Sequence, residues 1–361
     1  MTETAFKITQ AQSGFLSTLM NKVSRSFAVV VPCLEEPLNH FMATTYLICR
    51  VVDNIEDCGE PFTWKKKRFT EFTRLLENPL LAADVLSAWE REPWPSLTSD
   101  EKLLMSSADG MTLWQIYALI PDEARDTIRR WTCVMARGMG QLEDPNQAPR
   151  LVCRNGVQIL AAEEDYDGYC YFVAGTVGHL ATELVSHHYQ LTDGLAGRLL
   201  ANCEAFGRAL QKTNIVKDFA EDLARGICYL PDEWMAEVDR SPLSLANAPT
   251  PWKQKVLDNV MDELETATDY VLALPYDAAG YRLASLLCLL PAYQTILLAA
   301  KQHETLFTHA HHVKISRETF SQCLQDAQAM VADNDAILQY SRDLKNAVDA
   351  AFDGPRRTPV V

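Results

Sequence analysis

Twice along this chain the order Asp-x-x-Glu-Asp recurs, as Asp53-Asn54-Ile55-Glu56-Asp57 and as Asp218-Phe219-Ala220-Glu221-Asp222. Neither copy is interrupted by Pro or Gly, and both lie in stretches that read as long helices. On a helix, positions i, i+3 and i+4 share a face, so each copy projects three carboxylates together. Like charges at that spacing repel, and helix stability does not ask for them. The fold must therefore accommodate two acidic stripes, which make sense together if they face each other and hold divalent cations. Magnesium takes a few carboxylates plus waters and phosphate oxygens in preference to an all-protein cage. The pair suggests an enzyme that handles a diphosphate through Mg²⁺ or Mn²⁺.

The flanking residues repeat the geometry. Tyr46, Arg50, Asp53 and Asp57 form one helical stripe, and Asn214, Asp218, Glu221/Asp222 and Arg225 form another, extended a turn earlier by Gln211. The opposite faces carry Leu47, Ile48, Val51 and Ile55 in the first helix, and Leu210, Ile215, Phe219 and Leu223 in the second. Buried charge is costly unless paired or metal-bound, so polar stripes on otherwise apolar helices should line a cavity. The competing reading is a solvated face with Arg50 and Arg225 as ion-pair partners. A single copy would favour that reading; two copies with matching flanks favour the cavity.

Helical periodicity dominates the rest of the chain, and no strand-like alternation persists. The pattern predicts helices at 10–22, 37–57, 64–77, 100–118, 122–142, 166–189, 193–225, 252–273, 280–303 and 317–350, separated by Pro, Gly and Asp groupings. Two acidic stripes that must meet on one substrate favour a single domain over 1–353, with 354–361 a disordered tail. A net charge of −15 argues against nucleic acid as a partner. The ten cysteines are scattered without a C-x-x-C pair, as expected of reduced thiols in a cytoplasmic protein. Met1 to Thr4 carries no basic region followed by an apolar core, so no signal peptide is expected. Leu283 to Ala300 runs without a charge, but Ser285, Pro291, Gln294 and Thr295 interrupt it. That composition favours a buried central helix over a membrane span.

At this point the chain resembles the squalene and phytoene synthase family, the head-to-head prenyl synthases. Ser24-Arg25-Ser26-Phe27 is similar to the family's substrate-flap motif, and Tyr46 to Asp57 to its first aspartate-rich helix. Asp167-Gly168-Tyr169-Cys170-Tyr171-Phe172-Val173-Ala174-Gly175 resembles the central tyrosine motif, and Gln211 to Asp222 the second aspartate-rich helix. The motifs run in family order from about residue 20 to 235, and Tyr169-Cys170 and Gln211-Lys212-Thr213-Asn214 are closest to squalene synthases.

The resemblance implies an all-α isoprenoid-synthase fold around a central cavity, with two farnesyl diphosphates as substrate. It implies metal at Asp53, Glu56, Asp57, Asp218, Glu221 and Asp222. Arg50, Lys217 and Arg225 would neutralise the departing diphosphate, and Ser24, Arg25, Ser26, Phe27, Gln211 and Asn214 would contact substrate. Phe27, Tyr46, Tyr169 and Phe172 would supply electron-rich walls for carbocations, although Phe172 suits core packing better. Tyr169 is placed to assist proton removal, with released diphosphate the alternative base. The implied products are presqualene diphosphate and, with hydride from NADPH, squalene. No G-x-G-x-x-G follows a strand, but squalene synthases bind the cofactor within the helical fold, and Val313-Lys314-Ile315 is similar to a segment they associate with it. Lys314 is thus the expected NADPH contact.

Two departures temper the second half-reaction: Ile227 follows the Arg225-Gly226 turn where relatives have a basic residue, and Leu287 stands where some have an aromatic. A dehydrosqualene- or phytoene-type synthase, or a hydroxysqualene-forming one, is the alternative; a catalytically silent helical scaffold is disfavoured by the intact carboxylates. His303, His309, His311 and His312 read as an exposed loop rather than a metal site. A water-insoluble product implies a reversible, peripheral contact with membrane. Gly175 and Gly178, unfavourable in a helix, would allow close approach of either a prenyl chain or another helix.

Overall fold

The computed structural model describes residues 6–24, 26–146, 150–310 and 312–353. Met1 to Thr4, Arg25, His311 and the expected tail 354–361 lie outside them. The fold is all-α, and its contacts divide it into two compact units: Met1–Asn146 with His179–Ala196, and Gln147–Gly178 with Gly197–Val361.

In the first unit α1 (Gln10–Val23) opens on a capping box, with Gln12 N donating to Thr9 Oγ1 at 3.2 Å and Thr9 N to Gln12 Oε1 at 2.9 Å. After the short α2 (Phe27–Val30) comes α3 (Leu38–Asp57), whose Leu47, Ile48, Val51, Val52 and Ile55 are fully buried. Around it pack α1, α4 (Phe62–Glu77) and, beyond α5 (Ala82–Trp89) and α6 (Ser99–Lys102), α7 (Asp109–Leu119) and α8 (Asp122–Leu142). The helix expected over 100–118 is two pieces. Between them the chain passes through a 3₁₀ turn at Leu103–Met105, and Ser106 Oγ accepts from Asp109 N, the first residue of α7, at 3.0 Å.

The second unit contains strands that the periodicity did not predict. β1 (Leu151–Arg154) and β2 (Val157–Leu160) form an antiparallel hairpin across Asn155 and Gly156, which have φ of 53° and 81°. Asn-Gly supplies the two left-handed residues that a tight hairpin turn demands. Then come α9 (Glu163–Cys170), a π-helical turn over Tyr171–Gly175, α10 (Thr176–His188), which belongs to the first unit from His179 on, α11 (Asp193–Lys217), which belongs to the second from Gly197 on, and α12 (Phe219–Ala224). The expected helix 166–189 is thus locally widened, and 193–225 breaks at Asp218. β3 (Ile227–Cys228) joins β2 in parallel after Gly226 turns at φ 81°.

Beyond α13 (Asp232–Ala236), α14 (Thr250–Ala273), α16 (Arg317–Met330) and α17 (Asn334–Phe352) surround α15 (Ala279–Lys301). α15 is long and apolar enough to cross a membrane, yet 72% of its most apolar window is buried. It is a core helix, apolar all round because it is enclosed all round. The expected helix 317–350 ends early at Met330. There Arg282, fully buried, donates to the carbonyls of Val271, Leu274 and Val331 and to Asn334 Oδ1 at 2.6–3.0 Å, satisfying helix-end acceptors.

Candidate active site

The first acidic stripe is built on α3. Arg50 Nη1 donates to Asp53 Oδ2 at 3.0 Å and Nη2 to Glu101 Oε1 at 2.9 Å; the three side chains are only 21–23% exposed. Glu101 is fixed in turn, because its other oxygen accepts from Thr98 N at 2.9 Å and Thr98 Oγ1 at 2.8 Å in the capping box of α6. Asn54 Nδ2 also donates to the Glu101 carbonyl at 3.1 Å. Periodicity within α3 could not reveal Glu101; the Thr98-x-x-Glu101 capping signature was its one local trace.

Ser24, Phe27 and Tyr46 come together at the same end of the site. Ser24 Oγ accepts from Phe27 N at 3.0 Å and bonds with the Tyr46 hydroxyl, and the Phe27 and Tyr46 rings lie 5.0 Å apart. Ser26 is exposed, and its carbonyl starts α2. Burial raises the Tyr46 phenol above its usual range. Burial also pushes the Asp53 carboxyl up to about 6, against the pull of Arg50 and with a further push from Asp57. Glu56 is raised by burial, then by Asp57 and Glu143, while Lys65 Nζ donates to the Glu56 carbonyl and, at 2.7 Å, to Glu143 Oε1. For Arg50, burial opposes the charge, but Asp53, Tyr46 and Glu101 outweigh it and hold the guanidinium protonated.

The second stripe is built where α11 passes into α12. Asp218 stands at the break with φ −98° and ψ 11°, and the chain stays continuous because Asp218 N donates to the Asn214 carbonyl and Asp222 N to the Asp218 carbonyl, at 2.8 and 3.0 Å. Lys217 Nζ reaches both Asn214 Oδ1 at 3.0 Å and Asp218 Oδ2 at 3.1 Å. Arg225 Nη2 donates to Asp222 Oδ1 at 2.7 Å, with Asp222 side-chain exposure only 11%. The ion pairs of the competing reading are present, but Asp53 and Asp222 are not solvated faces. Glu221 points outward, 3.6 Å from exposed His312, and Gln211 is half-buried one turn before Asn214. Burial raises the Asp218 carboxyl.

Tyr169 is buried on α9 and stacks on Tyr229, ring centroids 4.4 Å apart and planes 17° from parallel. Tyr229, just after β3, was not singled out from sequence. Phe172 is half-buried beside Tyr171, in the wall of an open cavity rather than the core. The glycines beside the motif serve helix packing. A Cβ at Gly178 would stand 2.1 Å from the Cys203 carbonyl oxygen, and one at Gly207 would stand 2.1 Å from that of Ala174, so this stretch and α11 meet backbone to backbone. Lys314 is exposed next to buried Val313, and His309 is exposed as expected.

The donor set suits a hard divalent cation. Each stripe offers carboxylate oxygens, and those at Asp53, Glu56 and Asp218 are desolvated, a cost that bound positive charge would relieve. Among the described residues no group of three or more His, Cys, Asp or Glu side chains forms a preassembled metal cage. Such carboxylates fit a magnesium completed by water and phosphate oxygens.

The squalene/phytoene synthase family model matches residues 20–319. The squalene synthase of Mus musculus is 25% identical over 91% of this chain and 73% of its own length. Among solved structures, the complex of TcSQS with the ligand BPH1237 superposes with a TM-score of 0.76 at 21% identity, covering 97% of this chain and 94% of that one. A dehydrosqualene synthase in complex with ligand gives 0.62 at 19% identity, covering 90% and 97%. The helical architecture is that of the isoprenoid synthases, and this chain, a prenyltransferase, belongs to the squalene/phytoene synthase family.

Proposed function

We propose that this prenyltransferase is a squalene synthase, coupling two farnesyl diphosphates head to head to presqualene diphosphate and reducing that intermediate to squalene. Residues 1–353 would work as one catalytic domain. The observation that carries the reading is the buried Tyr169 of the Tyr169-Cys170 motif, stacked on Tyr229, in a chain that also holds both carboxylate stripes. Squalene synthases aligning over most of the chain support it.

In this reading Arg50, oriented by Glu101, and Lys217, oriented by Asn214, present positive charge to the departing diphosphate. Arg225 adds to that charge beside Asp222. Ser24, Arg25, Ser26, Gln211 and Asn214 contact the substrate. Phe27 and Tyr46 form an electron-rich wall for the allylic cation and exclude water from it. The Tyr169 hydroxyl, one face of its ring covered by Tyr229, relays the proton lost on cyclopropane closure to the released diphosphate, which keeps it. Asp53, Glu56, Asp57, Asp218, Glu221 and Asp222 would hold Mg²⁺ or Mn²⁺, which would supply Lewis acidity toward the leaving group. Lys314 would offer its exposed ammonium to a phosphate of NADPH, which would supply the hydride of the second half-reaction. The ten free cysteines suit a reducing, cytoplasmic compartment, and an apolar product suits a reversible membrane contact for release.

The second reading is a dehydrosqualene- or phytoene-type synthase, or a hydroxysqualene-forming one, favoured by Ile227 in β3 and by buried Leu287. Purified protein with farnesyl diphosphate should release diphosphate with Mg²⁺ and not with a chelator, and should yield squalene when NADPH is added. Identical products with and without NADPH would select the second reading. No diphosphate release under any condition would overturn both.

A further inference from the structure

α9 is tied down by an ion network, centred on a buried lysine, that the proposed chemistry does not use. Its residues Glu163, Tyr166, Asp167 and Cys170 fall at i, i+3, i+4 and i+7, one face of the helix. On that face, Lys212 of α11 is buried to 1% exposure, and its Nζ lies 2.7 Å from Asp167 Oδ1, 3.1 Å from Glu263 Oε1 and 2.9 Å from Asn259 Oδ1. The same ammonium stands 5.1 Å from the centroid of the Tyr166 ring. Asn259 continues to Glu163 Oε1 at 3.4 Å, and Trp234 Nε1 donates to Glu163 Oε2 at 3.0 Å. Arg208, one turn before Lys212, grips Glu263 through Nε and Nη2 at 2.8 and 3.2 Å.

We propose that Lys212 is a positioning residue, whose ammonium locks the Tyr169 helix α9 against the second acidic helix α11 and against α14. Tyr169 lies two positions after Asp167 and Asn214 two positions after Lys212, so this ion pair sets the placement of the tyrosine relative to the substrate-binding end of α11. A buried lysine is a poor source of stability, since apolar residues of similar volume commonly do as well or better. What an apolar residue cannot supply is a charge that donates hydrogen bonds to two acceptors on α14 and pairs ionically with Asp167 on α9. Gly207 and Gly178 set how closely α11 meets the stretch that follows α9; Lys212 sets where α9 itself sits.

The proposal rests on the reading that Tyr169 works in the coupling step, and wild-type protein in the same assay tests that reading separately. Lys212→Met should lower kcat by about ten- to a hundred-fold, since small misplacements of reacting groups cost that much. KM for farnesyl diphosphate should move far less, and Lys212→Arg should recover much of the loss. In the Tyr169→Phe background, Lys212→Met should cost little further, because residues acting through one another are not additive. Asp167, 42% exposed at its side chain, gives a gentler variant: Asp167→Asn keeps Lys212 paired with Glu263 and should lower kcat in the same sense even if Lys212→Met fails to fold. Wild-type kcat in folded Lys212→Met or in Asp167→Asn, or losses that multiply with Tyr169→Phe, would overturn the proposal. A wild-type protein inert toward farnesyl diphosphate would instead overturn the reading beneath it.

Discussion

Gly207→Ala should destabilise the protein although Ala is the better helix former. Its Cβ would stand 2.1 Å from the Ala174 carbonyl oxygen, 2.5 Å from the carbonyl carbon and 2.9 Å from Gly175 Cα. Ordinary contact begins near 3.4 Å, so the two backbones must part by roughly 1.3 Å at that point. Overpacking with backbone shifts costs about 2–3 kcal/mol, more than the ~1 kcal/mol that Ala gains over Gly in a helix. Unfolding entropy of about 2.1 cal/mol/K per residue gives roughly 0.8 kcal/mol per kelvin for 361 residues. A net loss of about 1–2 kcal/mol then lowers the melting temperature by about 1–3 °C. Gly197 lies on the same helix with nothing within 4 Å of its would-be Cβ, so Gly197→Ala should raise the melting temperature by about 1 °C. Thermal melts followed by far-ultraviolet circular dichroism read both signs. Gly207→Ala melting at or above wild type, or Gly197→Ala falling as far, would show that close backbone approach does not control packing here.

Glu101→Ala should leave Arg50 with Asp53 alone and cost about 1 kcal/mol of stability through the lost capping box, while kcat/KM for farnesyl diphosphate falls by about ten-fold; unchanged steady-state kinetics would count against the placement of Arg50. In metal-free buffer the raised Asp53 carboxyl makes the folded state bind a proton more tightly than the unfolded chain. Its contribution is therefore present at low pH and is lost as pH rises from the usual carboxylate range through about 6. The stability advantage of Asp53→Asn over wild type should accordingly grow across that window, and Mg²⁺ should shrink it; a pH-independent difference in denaturant midpoint would contradict this. Because α15 is buried, the expressed chain should extract without detergent, and retention of all of it in a salt-washed membrane pellet would contradict the peripheral reading.

The long helices of the two stripes were readable because period and composition are local properties. Leu47 to Ile55 had to be buried on one face of α3, and Asp53 to be partly shielded on the other, whatever else the chain did. Breaks were harder. Ser106 and Asp218 interrupt helices through single hydrogen bonds or a single dihedral change, which hardly disturb periodicity. The Asn155-Gly156 hairpin carried a turn signal, but its strands are too short for alternation to register. Glu101 beneath Arg50, Tyr229 on Tyr169, and Glu263 and Asn259 around Lys212 are contacts between distant segments, and no local pattern in the chain announces them.

A reductive second step transfers one hydride into the hydrocarbon product, and isotope tracing follows that hydride. Farnesyl diphosphate, Mg²⁺ and NADPH carrying deuterium at the transferred position are incubated with the purified protein, and the hydrocarbon product is analysed by mass spectrometry. Squalene should be one deuterium heavier than the unlabelled control, with the label on one of the two carbons joined in the coupling. An unlabelled dehydrosqualene, phytoene-type or hydroxylated product, formed equally well without the reductant, would contradict the reductive step.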